Sequence, residues 1–242
     1  KVYPQLIMGN NVIKPEKIDK RRRGIYLLPN LFTTAGLFAG FYGIVAAIND
    51  RFEFAAVAIF IAIITDGLDG RVARLTHTQS DFGAQYDSLV DMVAFGLAPA
   101  LVVYLWVLSD MGKNGWLAAF VYSAAAGLRL ARFNTQVALA NKRYFQGLAS
   151  PAAAALIAVL VWVGSDLHWL DKNQTLTQAL AFILTVSSGA LMVSTIRYRS
   201  FKDLDLKGRV PFVAVLAVVM VYVFISYDPP LVLFSLFLIY AM

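Results

Sequence analysis

The sequence predicts an all-α, polytopic membrane bundle of about eight transmembrane helices, and three observations carry that expectation. Hydrophobic residues make up 59% of the 242 and charged residues only 15%, a balance rare in soluble domains and normal in membrane helix bundles. Apolar runs of spanning or near-spanning length recur at about 27–48, 54–75, 83–108, 115–136, 149–165, 175–196, 210–226 and 229–242. The basic residues are also one-sided. With eight spans, 18 of the 21 Lys and Arg fall on one side and only Arg51, Lys113 and Lys172 on the other.

Taken in order, seven Lys and Arg precede the first run and Arg51 separates it from the second. Arg71 and Arg74 lie at the end of the second run, and Lys113 lies between the third and fourth. Arg129 and Arg132 at the end of the fourth run and Lys142 and Arg143 after it make four, Lys172 stands between the fifth and sixth, and five more follow the sixth. The last two runs are short and split by Asp228-Pro229-Pro230. Paired prolines do not continue a helix, so a turn is expected there, and six spans plus a C-terminal hairpin is the other reading. By the positive-inside rule both termini are cytoplasmic, in the cell (inner) membrane. Residues 1–26, with IKPEKIDKRRRGIY, read as a cytoplasmic juxtamembrane segment whose Ile13, Ile18 and Ile25 can face the lipid surface. The whole of 1–242 reads as a single domain. The chain has no cysteine, which excludes disulfides, zinc–thiolate sites and thiol nucleophiles.

The segment 66–91, DGLDGRVARLTHTQSDFGAQYDSLVD, breaks the apolar pattern. Asp66 and Asp69 form one pair and Asp87 and Asp91 another, each at a spacing that shares a helix face. Four independent charges at membrane depth would cost on the order of 10 kcal/mol. Arg71 and Arg74 alone cannot balance five aspartates, counting Asp81. Clustered carboxylate oxygens suit hard divalent cations, Mg²⁺ or Mn²⁺ where phosphate is also bound. Two such ions close together are suited to phosphoryl displacement. Glycine inside a helix costs up to about 1 kcal/mol relative to alanine, so Gly67 and Gly70 ask for a reason. For Gly70 and Ala73 the expected reason is close approach of a ligand. Arg74 offers a forked donor set to phosphate, Gly83 is expected to let the third helix come close to the second so that Asp87 and Asp91 face Asp66 and Asp69, and His77 is expected in the solvated loop.

The spacing D-x2-D-G-x2-A-R-x8-G-x3-D-x3-D is met by Asp66, Asp69, Gly70, Ala73, Arg74, Gly83, Asp87 and Asp91. It resembles the CDP-alcohol phosphotransferases, integral membrane enzymes that move a phosphatidyl-type group from a CDP-linked donor to an alcohol. The resemblance implies that Asp66, Asp69 and Asp87 bind two divalent ions, Mg²⁺ or Mn²⁺. It gives Asp91 a double role, as general base and second-metal ligand. It also implies that Gly70 and Ala73 border the cytidine, that Arg74 meets the diphosphate, and that the protein is a homodimer.

The stretches at 21–44, GLRLARFN (127–134) and FQGLASPAAA (145–154) resemble the serine-accepting members of that family, the membrane-embedded phosphatidylserine synthases. The expected partners are then CDP-diacylglycerol, L-serine and membrane lipids, with no nucleic acid. A serine carboxylate wants fixed arginines, and Arg129 and Arg132, with Asn134, are the candidates. Asn30, Thr33 and Thr34, early in the first span, can hydrogen-bond the donor headgroup. A phosphorylated acceptor, glycerol 3-phosphate or an inositol phosphate, would need more positive charge, for which Arg197, Arg199, Lys202, Lys207 and Arg209 are available. A divalent-cation transporter is the different-class alternative. It would more often show interrupted helices near the midplane in corresponding halves, whereas these four acids share one segment near the cytoplasmic face.

Overall fold

The computed structural model describes residues 20–76, 78, 80–136, 144–199, 219–220, 223 and 226–241. Among them seven helices carry the fold: α1 (Lys20–Ile48), α2 (Phe52–Leu75), α3 (Asp81–Met111), α4 (Lys113–Gln136), α5 (Ser150–Asp166), α6 (Trp169–Val193) and α7 (Pro229–Ala241). Most of the run expected at 210–226 lies outside the described residues, as do His77, Lys202, Lys207, Arg209 and positions 1–19. Two three-residue strands, β1 (Tyr144–Gln146) and β2 (Arg197–Arg199), were not expected; they pair antiparallel with Phe145 opposite Tyr198. Beside them the Gly147 amide donates to Ile196 O (2.9 Å) and the Leu148 amide to Leu191 O (3.0 Å), so the start of α5 is tied to the end of α6.

Three helices are long and apolar enough to cross a membrane: Pro29–Ile48 within α1, all of α3, and α6. This is consistent with a membrane protein, though the described residues do not give about eight spans of that kind. The shortfall has physical causes. The helices α2 and α4 are each 24 residues long, but α2 carries Asp66, Asp69, Arg71 and Arg74, and α4 carries Arg129 and Arg132. The helices α5 and α7 are apolar but run only 17 and 13 residues. The expected break at Asp228-Pro229-Pro230 is present. There Asp228 Oδ1 accepts from the Leu231 amide (3.2 Å), and the prolines take the first positions of α7, where a missing N–H costs little.

The interior mixes many small residues with larger ones such as Ile59, Phe95, Tyr122 and Leu160. Ala55, Ala56, Ala58 and Ala62 of α2 are buried, and α5 is buried almost throughout, with α2, α3, α6 and α7 packed around it. Other large apolar side chains point outward, among them Phe38, Phe41, Ile64, Phe120 and Ile183. That distribution suits lipid as the solvent: apolar surface gains little by leaving it, so helices associate through close backbone packing.

The position of α3 depends on one such approach. Its helical winding widens twice, to π geometry at Met92–Leu97 and again at Tyr104–Leu108. A Cβ on Gly40 of α1 would lie 2.8 Å from Ala94 Cα, so the two backbones touch where the first π turn lies. Gly40→Val is therefore expected to destabilise the protein by about 1–3 kcal/mol, the usual range for overpacking. Thermal unfolding of purified protein checks this. Gly67→Ala is the control, since its added Cβ meets nothing within 4 Å.

Candidate metal centre

The α2–α3 connection brings the two Asp pairs together. Ser80 caps α3, its Oγ accepting from the Gly83 amide at 3.0 Å, and this fixes where α3 begins. Asp66, Asp69 and Asp87 each present a carboxylate oxygen, and these oxygens all lie within 4.8 Å of one another. Asp91, one turn beyond Asp87, lies within hydrogen-bonding reach of the Asp66 carboxyl. Asp69 is buried, while Asp66, Asp87 and Asp91 are half-buried. The donor set is all oxygen and all anionic, which fits a hard divalent cation such as Mg²⁺ or Mn²⁺.

The first helix orients one of these ligands. Thr33 is buried, and its Oγ1 donates to Asp69 Oδ2 at 2.8 Å. Thr34 Oγ1 donates to Asn30 O (2.7 Å) and is hydrogen-bonded to the Tyr86 hydroxyl (3.0 Å). Asn30 itself sits beside Gly83, 3.5 Å from where a Cβ there would be. Gly83 thus admits α1 to the start of α3; the expectation paired α3 with α2 at this point.

Among the described residues, nothing covers the α2 surface at Gly67 and Gly70. A Cβ at Gly67 or Gly70 would meet nothing within 4 Å. Arg74 is exposed and folds back one turn, its Nε donating to Gly70 O at 2.9 Å. Ala73 is half-buried, and its carbonyl accepts from the Thr78 amide (3.1 Å), closing the end of α2.

The structure gives the α4 candidates different surroundings. Arg129 is half-buried and interacts electrostatically with Asp91 and with Tyr240 of α7. Its Nη1 donates to Ser150 Oγ at 2.9 Å, while its Nε is buried without a hydrogen-bond partner. Arg132, three residues on, reaches the end of α6, where Nη1 donates to Val193 O at 3.4 Å. Asn134 Nδ2 donates to Ser88 Oγ at 3.0 Å, linking α4 to the residue after Asp87. Tyr86, Ser88 and Tyr240 are thus neighbours of the site that the sequence did not single out, while Ser150 both begins α5 and meets Arg129. Tyr86 and Ser88 flank Asp87, but a hydroxyl adjacent to an acid carries no periodic signal. Tyr240 is brought in only by tertiary packing.

A family model described as CDP-alcohol phosphatidyltransferase matches residues 26–241. A Helicobacter pylori CDP-diacylglycerol–serine O-phosphatidyltransferase is 41% identical over 178 residues, which is 74% of each chain. The enzyme of the same name from Methanocaldococcus jannaschii is 34% identical over 66% of this chain and 69% of its own. That from Mycobacterium bovis is 43% identical over 55% of this chain and 49% of its own.

The Thr33–Asp69 hydrogen bond generates a prediction independent of turnover. Supporting hydrogen bonds to metal ligands are typically worth about 10- to 100-fold in affinity. Thr33→Val should weaken Mn²⁺ binding, measured by calorimetry, by about that factor, and Thr33→Ser should restore it.

Proposed function

We propose that this chain, which belongs to the CDP-alcohol phosphatidyltransferase family, transfers the phosphatidyl group of CDP-diacylglycerol to the hydroxyl of L-serine, giving phosphatidylserine and CMP. The observation that carries the chemistry is the convergence of Asp66, Asp69 and Asp87 within 4.8 Å, with Asp91 beside them. Relatives named as serine phosphatidyltransferases support the choice of acceptor. The acyl chains stay in the bilayer, against the apolar outer faces of the helices. The nucleotide and serine enter from the cytoplasmic side, with both termini on that side of the inner membrane.

In this reading Asp66, Asp69, Asp87 and Asp91 hold two divalent cations, Mg²⁺ or Mn²⁺. When bound, the ions offset the charge of the diphosphate and of the departing CMP. The residues do the rest. The surface at Gly70, with Ala73, lets the cytidine approach α2 closely. Arg74 reaches the diphosphate. Thr33 orients Asp69, and Asn30 and Thr34 border the donor headgroup. Asp91 takes the proton of the serine hydroxyl as its oxygen attacks the lipid-linked phosphorus and the P–O bond to CMP breaks. Arg129 receives the serine carboxylate, for which its buried Nε offers an unused donor. Arg132 and Asn134 complete that side of the pocket, bound to α6 and to Ser88. The resemblance also points to a homodimer.

CMP release from CDP-diacylglycerol with serine, ethanolamine and glycerol 3-phosphate tests the assignment. Serine should support release, EDTA should abolish it, and Mg²⁺ or Mn²⁺ should restore it. Asp91→Asn should lose about 10²–10⁴ in turnover while still binding CDP-diacylglycerol. Arg129→Lys keeps the charge but loses the fork, and should raise the KM for serine roughly ten- to a hundred-fold. Preference for glycerol 3-phosphate over serine would overturn the acceptor, and full activity without metal would overturn the chemistry.

A further inference from the structure

Asp91 is followed at once by the π turn Met92–Leu97, in which the Ala98 amide bonds to Val93 O, five residues back. Isolated π turns inside α-helices are uncommon and frequently accompany functional sites. The sequence supplies a cause. Pro99 has no N–H, so it cannot bond to Phe95 O four residues earlier, and its ring would clash with that carbonyl in a regular α-helix. Wider winding relieves the clash but leaves the Phe95 carbonyl in the buried interior. A hydroxyl from α4 meets it: the fully buried Tyr122 donates to Phe95 O at 3.1 Å. Ser123, also buried, donates to the next carbonyl, Gly96 O, at 3.1 Å.

The winding has a geometric consequence. Each residue of an α-helix turns the chain by about 100°, so one extra residue accommodated here rotates everything before it by that angle relative to everything after it. The later part of α3 keeps Val102, Val103 and Trp106 in the core. The earlier part is thereby aimed so that Asp87 and Asp91 face Asp66. We propose that Tyr122 and Ser123 are positioning residues for Asp87 and Asp91, holding open the π turn that points these carboxylates at the α2 pair. They touch neither substrate nor metal and act through the carbonyls of Phe95 and Gly96. This inference rests on the reading of the four Asp as a metal centre.

The test uses the full chain purified in detergent, with Tyr122→Phe, Ser123→Ala, the double variant and Ser123→Thr. Mn²⁺ affinity by calorimetry, the Mn²⁺ concentration for half-maximal CMP release, the KM for serine and thermal unfolding without metal are all measured. Losing the hydroxyls should weaken Mn²⁺ binding and raise the half-activating Mn²⁺ concentration by about tenfold, the lower range for residues that support metal ligands. The KM for serine should stay within about twofold, and Ser123→Thr, which keeps the hydroxyl, should behave like the parent. If the double variant does not fold, the two single variants carry the test. A lowered unfolding temperature with unchanged Mn²⁺ affinity would make the hydroxyls merely structural and overturn the inference while leaving the metal centre standing. Failure of the parent to bind Mn²⁺ at all would sink the metal reading and this inference with it.

Discussion

The repulsion among carboxylates held at the edge of an apolar bundle is the constraint on which the rest of the structure depends. Ionised together, three oxygens within 4.8 Å of one another would repel by about 3.5 kcal/mol per pair at an effective dielectric of 20. The three pairs together reach roughly 10 kcal/mol, comparable with the whole stability of a typical domain, about 5–15 kcal/mol. Asp91, beside Asp66, brings a fourth carboxyl to the same place. A fold that gathers these groups at such a cost is organised around whatever positive charge neutralises them, and divalent cations meet the need with the fewest particles.

The bundle meets that constraint by making the helices around the site rigid and close. Many small residues line the interior, so α1 can lie backbone to backbone on α3 at Gly40 and Ala94. The same helix then delivers Thr33 to Asp69. On the far side, α4 supplies Arg129 toward Asp91 and Asn134 toward Ser88, and α7 supplies Tyr240 toward Arg129. The carboxylates are thus surrounded by elements widely separated in sequence, while among the described residues nothing covers the α2 surface over Gly67 and Gly70.

Much of this was legible because it is local. The Asp pairs announce themselves by spacings of three and four within otherwise apolar helices. Seven of the eight expected runs, and the break before α7 at Asp228, appear as helices among the described residues, with most ends close to the expected ones and the starts of α1 and α6 earlier. What was hidden depends on pairing across the fold. Nothing in the sequence tells that Thr33 bonds Asp69, 36 residues away, or that Arg129 and Arg132, sharing a face, find different neighbours. The number of spanning helices was obscured by the site itself, because its charges lie within α2 and α4. Pro99 stands in the middle of an apolar run, and its effect on the helix is readable only with Tyr122 placed against Phe95.

Electron paramagnetic resonance of the purified chain titrated with Mn²⁺ tests the central claim most directly, because it reports the number of ions and their separation without requiring turnover. The account predicts two Mn²⁺ per chain with a broadened, spin-coupled signal, and its loss in Asp69→Asn. A single isolated Mn²⁺ signal at saturation, or a coupled signal that survives Asp69→Asn, would contradict a binuclear centre built on Asp66, Asp69, Asp87 and Asp91.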